Sequence, residues 1–148
     1  SLLKILNDEI CETTSRGMFV TMIIGVYDKN KNELLLANAG HEPPLIFSKD
    51  GNFKTIDEAG PPLGIAPNFK FTEQIISFKE CSMYIFTDGI TEMKNNDGEM
   101  LGQEGFQDYI KKYQTTPNNK RLQKMIEDLI NSGRIQKDDL TIVTVDGN

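Results

Sequence analysis

The sequence predicts an α+β domain: a mainly antiparallel, layered β-structure with helices at both ends of the chain. Three observations carry this. Most strand-like runs are joined by short, turn-forming stretches of Gly, Asn, Asp and Lys, which favours hairpins over crossovers. Amphipathic helical patterns open the chain and recur near its end. A length of 148 residues, with 38% hydrophobic and 26% charged, suits one domain with its own core.

The elements follow in order. Residues 2–14 put Leu2, Leu3, Leu6 and Ile10 on one helical face, and Gly17 is suited to close that helix. Residues 18–28 are β-branched and aromatic and read as one long strand. Residues 33–39 form its hairpin return, and Leu45 to Ile56 form a second hairpin turning at Asp50-Gly51. A Pro/Gly-rich loop covers 59–68. Residues 69–78 alternate as a strand, and 81–87 are more apolar, predicting a more buried strand. Residues 91–100 are polar and loop-like with room for a helical turn, and 102–113 form a short helix. The clearest helix follows. Thr116 is its expected cap, Pro117 its first turn and Gly133 its end, with an apolar stripe of Leu122, Met125, Ile126, Leu129 and Ile130. Residues 140–145 are the last strand.

Bulk properties exclude several classes. A net charge of −6 argues against a general nucleic-acid binder and against an anionic membrane surface. No apolar run approaches the ~18 residues of a membrane span, and the first segment is charged and amphipathic, unlike a secretory leader. Cys11 and Cys81 are widely spaced. Two free thiols in a reducing cytoplasm are expected, with a single disulfide as the alternative.

Chemistry gathers at strand ends. The apolar run Met83 to Thr87 ends on Asp88 and Gly89, and the last strand is preceded by Asp138 and Asp139. In an antiparallel pair the end of one strand lies beside the start of its partner, so these carboxylates can meet at one rim of a sheet. Acids without His or Cys partners favour a hard cation: Mg²⁺, Mn²⁺ or Ca²⁺. Asp88 read as a turn residue and Asp138-Asp139 as a solvated pair is the competing interpretation.

Four segments then take on a shared meaning: "FVTMIIGVYDKNKNELLLANAGHEPPLI" (19–46), "GPPLGI" (60–65), "YIFTDGITEMKNNDGEMLGQEGF" (84–106) and "DDLTIVTV" (138–145). Together and in this order they resemble the SpoIIE/RsbU branch of the PP2C-like (PPM) metal-dependent serine/threonine phosphatases, over about residues 2–145. The resemblance implies a PP2C-like β-sandwich flanked by helices. It implies removal of phosphate from phosphoserine or phosphothreonine of proteins, often STAS-domain antagonists of anti-sigma factors. Two Mn²⁺ or Mg²⁺ ions are implied, with no side-chain nucleophile. By the same resemblance Asp88 and Asp138 are metal ligands and Asp139 an adjacent acid of that site, while Asn38, Gly40 and His41 of "NAGH" and Gly89 belong to the active-site loops. The family's early aspartate motif has no counterpart here: Asp8 falls on a helix and Asp28 at a hairpin turn. Residues 1–148 are therefore expected to be the C-terminal two-thirds of one such domain, truncated at the N-terminal side and incomplete as a catalyst. A non-catalytic module of the same fold, binding a phosphoprotein or kinase-like partner, is the alternative. So is a small acidic ligand-binding domain unrelated to phosphatases.

Individual residues keep two readings. His41, the single histidine, can donate a proton or contact phosphate, or it can fix its loop by hydrogen bonding. Asn38 can bond backbone at a strand end or touch substrate. "GPPLG" lacks the lysine and following helix of a phosphate loop and reads as a turn. Glu92 can anchor its loop or approach a metal, and the six scattered methionines read as packing. Loss of neighbouring strands would leave the β-prone run 19–27 at an exposed edge, so a homodimer is expected, with the N-terminal helix covering the apolar face as the alternative.

Overall fold

The computed structural model describes residues 2–14, 17–56 and 60–147. Its elements run α1 (Leu2–Thr13), β1 (Met22–Asp28), β2 (Glu33–Ala39), β3 (Leu45–Ser48), β4 (Phe53–Thr55), β5 (Gln74–Ser77), β6 (Cys81–Phe86), α2 (Asp88–Thr91), α3 (Gly102–Tyr113), α4 (Asn118–Asn131) and β7 (Ile142–Asp146). The strands form a three-stranded sheet ordered β1-β2-β5 and a four-stranded sheet ordered β4-β3-β6-β7. Every pair within these sheets is antiparallel.

Strand side chains alternate between faces, and this period of two builds the layers. Leu34 and Leu36 of β2 meet Ile46 of β3 and Met83 of β6 in a core between the sheets, closed by Ile56, Ile76 and Phe78. The residues between them face outward. Ala37 and Ala39 pack with Leu3, Leu63 and Phe71, and Leu6 and Ile10 of α1 lie against that cluster. Leu45, Phe47, Tyr84 and Phe86 line the opposite outer face, where Ile90, Phe106, Ile110, Met125 and Leu129 of the helices cover them. The order is helix, sheet, sheet, helices. Burying each large apolar side chain in these clusters favours folding by about 1.5–3 kcal/mol.

Several elements differ from the sequence reading. The strand expected over 18–28 begins at Met22, and Val20 instead makes an isolated antiparallel bridge to Leu63. The strand expected over 69–78 is confined to Gln74–Ser77, because Phe69 and Phe71 pack on each other and toward α1. Thr116 does not cap α4. Its N–H donates to Tyr113 O at 3.0 Å, and Pro117 occupies the cap position with no side-chain bond to the helix. The stripe of α4 is also rotated: Arg121 is buried with Met125 and Leu129, and Ile130 is exposed. An i, i+4, i+8 spacing puts Arg121 in line with the two apolar residues, and an ion pair with Asp146 lets its charge enter. Cys11 and Cys81 are free thiols. No helix of the described residues is long and apolar enough to cross a membrane.

Candidate active site

The site grows from the pairing of β6 with β7. Phe86 faces Ile142, and the ladder continues one step further through Thr87 and Thr141. Thr87 N–H donates to Thr141 O at 3.1 Å, and Thr141 N–H donates to Thr87 Oγ1 at 3.1 Å. The Thr87 hydroxyl donates in turn to Asp139 O, also at 3.1 Å. These bonds draw the segment before β7 over the end of β6. There the chain turns directly into α2, whose first residue is Asp88. Gly89 is buried under the arriving segment: a Cβ on it would lie 2.4 Å from Asp139 O and 3.4 Å from Asp138 O. A glycine is required by this close backbone approach. Asp88 and the pair Asp138-Asp139 thus occupy one rim of the four-stranded sheet.

A second loop reaches the same rim from the other sheet. β2 ends on Asn38 and Ala39, and Asn38 is fully buried. Its Oδ1 accepts His41 N–H at 2.9 Å, and its Nδ2 donates to His41 O at 2.9 Å. One amide side chain therefore closes the loop from both sides, the backbone-bonding role foreseen as one of its two readings. Gly40 has φ of 67°, and a Cβ there would lie 2.5 Å from the Pro62 ring. The "GPPLG" turn is the wall against which this loop rests. His41 is half-buried, with Nδ1 3.2 Å from Glu42 O. An Nδ1–H donated to that carbonyl leaves Nε2 without its proton in the neutral ring.

The two loops face each other across a cavity of about 180 Å³ lined by Thr21, Gly40, His41, Glu42, Thr87 and Asp88. Asp138 and Asp139 adjoin Gly89 outside that lining. Thr21, Thr87 and Glu42 were not singled out from sequence. Thr21 lay hidden inside an apparent strand, whereas the position of Glu42, directly after His41, was a usable signal. Larger cavities of about 370 and 380 Å³ lie elsewhere, against α1 and at the start of β6.

The donor chemistry suits a hard divalent cation in kind. Asp88, Asp138 and Asp139 are exposed, and none forms an ion pair among the described residues. Asp138 Oδ1 accepts Asp139 N–H at 2.7 Å, and Gln136 Nε2 donates to Asp138 O at 2.9 Å, so side chains of this segment brace its own backbone. In number the donors are few: no group of three or more His, Cys, Asp or Glu is gathered to hold a metal among the described residues. Glu92 is the C-cap of α2, where its backbone N–H bonds to Asp88 O.

Comparison with known proteins agrees with this architecture. The chain is 26% identical to phosphoserine phosphatase RsbU of Bacillus subtilis, over 97% of this chain and 44% of that protein. It superposes on the PP2C domain of SiaA from Pseudomonas aeruginosa with a TM-score of 0.80, at 16% identity, over 97% of this chain and 58% of that one. With the manganese-presoaked phosphatase domain of SpoIIE from Bacillus subtilis the TM-score is 0.69, at 19% identity, over 99% and 65%. The fold is thus PP2C-like, and the chain spans less than half the length of RsbU. The model of the family "Stage II sporulation protein E (SpoIIE)" matches residues 1–147, and the chain belongs to that family.

Proposed function

We propose that this chain is the larger part of a metal-dependent phosphatase domain acting on phosphoserine or phosphothreonine of a signalling protein, a STAS-domain antagonist being the expected type. The observation that supports the reading is the close packing of Gly89 on the Asp138-Asp139 backbone, which sets the two acid-bearing segments side by side, with the Asn38–His41 loop facing Asp88 across the cavity. Asp88 and Asp138 would hold Mg²⁺ or Mn²⁺ with their carboxylates, with Asp139 orienting the segment beside them. When bound, such ions supply Lewis-acid stabilisation of the phosphoryl oxygens. The chain's own residues do the rest. Thr87 fixes the spacing of the two acidic segments through its bonds to Asp139 and Thr141. Asn38 and Gly40 hold the loop rigid, so that His41 can meet a phosphoryl or leaving oxygen in one orientation. Among the described residues the cavity lining holds no lysine or arginine, and bound cations would meet the charge on the phosphate.

The low number of gathered donors supports a second reading, a phosphoprotein-binding module of the same fold without turnover. One experiment separates the two. The full-length parent protein should hydrolyse a phosphoserine peptide with Mn²⁺, whereas residues 1–148 alone should not. Asp88→Asn and Asp138→Asn in the parent should abolish turnover, and Asp139→Asn should weaken metal binding by about 10–100-fold. A parent that binds the phosphoprotein but never releases phosphate would leave the binding module standing.

A further inference from the structure

We propose that the cavity at the rim opposite Asp88 is a binding site for a small oxyanion, a phosphate or carboxylate group held by Arg121 and the first turn of α4. The cavity has a volume of about 380 Å³ and is walled by the start of β6, the end of β7, the β3–β4 turn and α4. Ser82 faces Asp146 at this end of the β6–β7 pair, and Phe86 faces Ile142 at the other, where the carboxylates stand. The site is therefore separate from the one described above and does not rest on the phosphatase reading.

Arg121 is the first element. It is only 6% exposed, yet it lines the cavity. Its Nη2 donates to the Asp146 carboxylate, which also accepts from Ser82 Oγ at 2.5 Å. A guanidinium carries five N–H donors. Beyond this one bond, no described residue accepts from the group, and Nε is buried without a partner. The guanidinium carbon lies 5.8 Å from the centre of the Tyr84 ring, whose hydroxyl is also buried and unpartnered. A buried guanidinium whose Nε has no partner calls for a further acceptor.

The first turn of α4 is the second element. Pro117 offers no side-chain cap, and its carbonyl is taken by the N–H groups of Lys120 and Arg121. The N–H groups of Asn118 and Asn119 precede any acceptor in the helix, so they stay open at the positive end of its dipole. Asn118 lines the cavity beside Arg121.

The unspent donors, not a net charge, favour an acceptor ligand. Arg121 is matched by Asp146, and Lys49 by Glu80 at 2.8 Å, so the formal charges cancel. Each carboxylate is neutralised through one oxygen, Oδ1 of Asp146 and Oε1 of Glu80, while N–H donors remain on Arg121 and on the helix terminus. An oxyanion finds free N–H groups and the helix dipole.

The test is a ¹⁵N NMR titration of the chain carrying Asp88→Asn, which removes the candidate active site as a second phosphate binder. Inorganic phosphate is added in one arm and acetate in the other. Saturable shifts are expected at the amides of Asn118, Asn119 and Arg121. The stronger arm identifies the phosphate or the carboxylate as the preferred group. Asn118→Asp puts a fixed negative charge at the exposed first turn and should weaken binding by at least about tenfold. Lys49→Gln, also exposed, leaves Glu80 unopposed and should weaken it in the same direction. Both positions are on the surface, so folding is retained. Absent shifts in both arms, shifts confined to the Thr87 and His41 region, or affinity unchanged by Asn118→Asp would each overturn the proposal.

Discussion

Gly89→Ala tests whether one backbone contact builds the acidic rim. The added Cβ would sit 2.4 Å from Asp139 O and 3.2 Å from its carbonyl carbon. Relief to an ordinary 3.4 Å requires the two segments to part by about 1 Å at that oxygen. Neither side can yield by a rotamer change, because both partners are backbone and Thr87 bonds the same carbonyl. Overpacking of this kind costs about 1–3 kcal/mol. Alanine returns up to about 1 kcal/mol through helix propensity, a small credit in a four-residue helix. The net loss is about 1–2 kcal/mol, and at this chain length that lowers Tm by about 2–8 °C. Thermal unfolding followed by circular dichroism measures the first effect. Under the proposed function, Mn²⁺ titration followed by electron paramagnetic resonance measures the second: affinity should fall, because the segments that carry Asp88 and Asp138 have been moved apart. A variant with unchanged Tm and unchanged Mn²⁺ affinity would refute the idea that this contact sets the site.

Asn38→Ala removes both bonds to the His41 backbone from a fully buried position, and should destabilise the fold by about 2–4 kcal/mol in denaturant titration. Asp8 is held below the ordinary aspartate value of 3.8 by its bond from Lys4 and then by the Asn68 N–H. A depressed carboxylate adds stability above that ordinary value and loses it as pH falls through the folded value. The stability difference between the parent chain and Asp8→Asn should therefore be present at neutral pH and vanish well below 3.8. β1 is an edge strand whose outer side is unpaired among the described residues, with Val26 and, two strands away, Ile75 exposed on the outer face. Light scattering across a dilution series should report a dimer at high micromolar concentration, and a monomer throughout would contradict it.

The parts of the fold legible in the sequence were those governed by local periodicity. The hairpin return 33–39, the apolar run 81–86, the Asp50-Gly51 turn and the Leu3, Leu6 and Ile10 face of α1 all rest on near neighbours in the chain, whereas Leu2, expected on that face, is exposed. What escaped depended on contacts distant in the chain. Val20 leaves β1 because Leu63 captures its N–H and C=O, at 3.0 and 2.8 Å. Asn7 reads as the polar side of α1 yet is fully buried, because it accepts Gly64 N–H at 3.0 Å and donates to Ala66 O at 2.8 Å. Arg121 broke the apolar stripe of α4 for the same reason: its partner, Asp146, is 25 residues away. In the candidate site Asp88, Gly89 and His41 stand out by residue type and position, whereas Thr21 and Thr87 read in the sequence as ordinary strand residues and in the structure lie just outside β1 and β6.

These long-range bonds share a physical consequence for the site. Asn7 anchors the 64–66 loop to α1, and Pro62 of that stretch is the wall against which Gly40 is pressed. Gly40 and Asn38 fix His41, and His41 lines the cavity with Asp88. On the other side, Thr87 and Gly89 tie Asp88 to the Asp138-Asp139 backbone. The two arms of the site therefore hang on different sheets, and their separation is set by the packing of Leu34, Leu36, Ile46 and Met83 between those sheets. A cavity made in that core acts on the spacing of His41 and Asp88 without touching either residue. The inter-sheet core is thus part of the site's geometry as well as of the domain's stability.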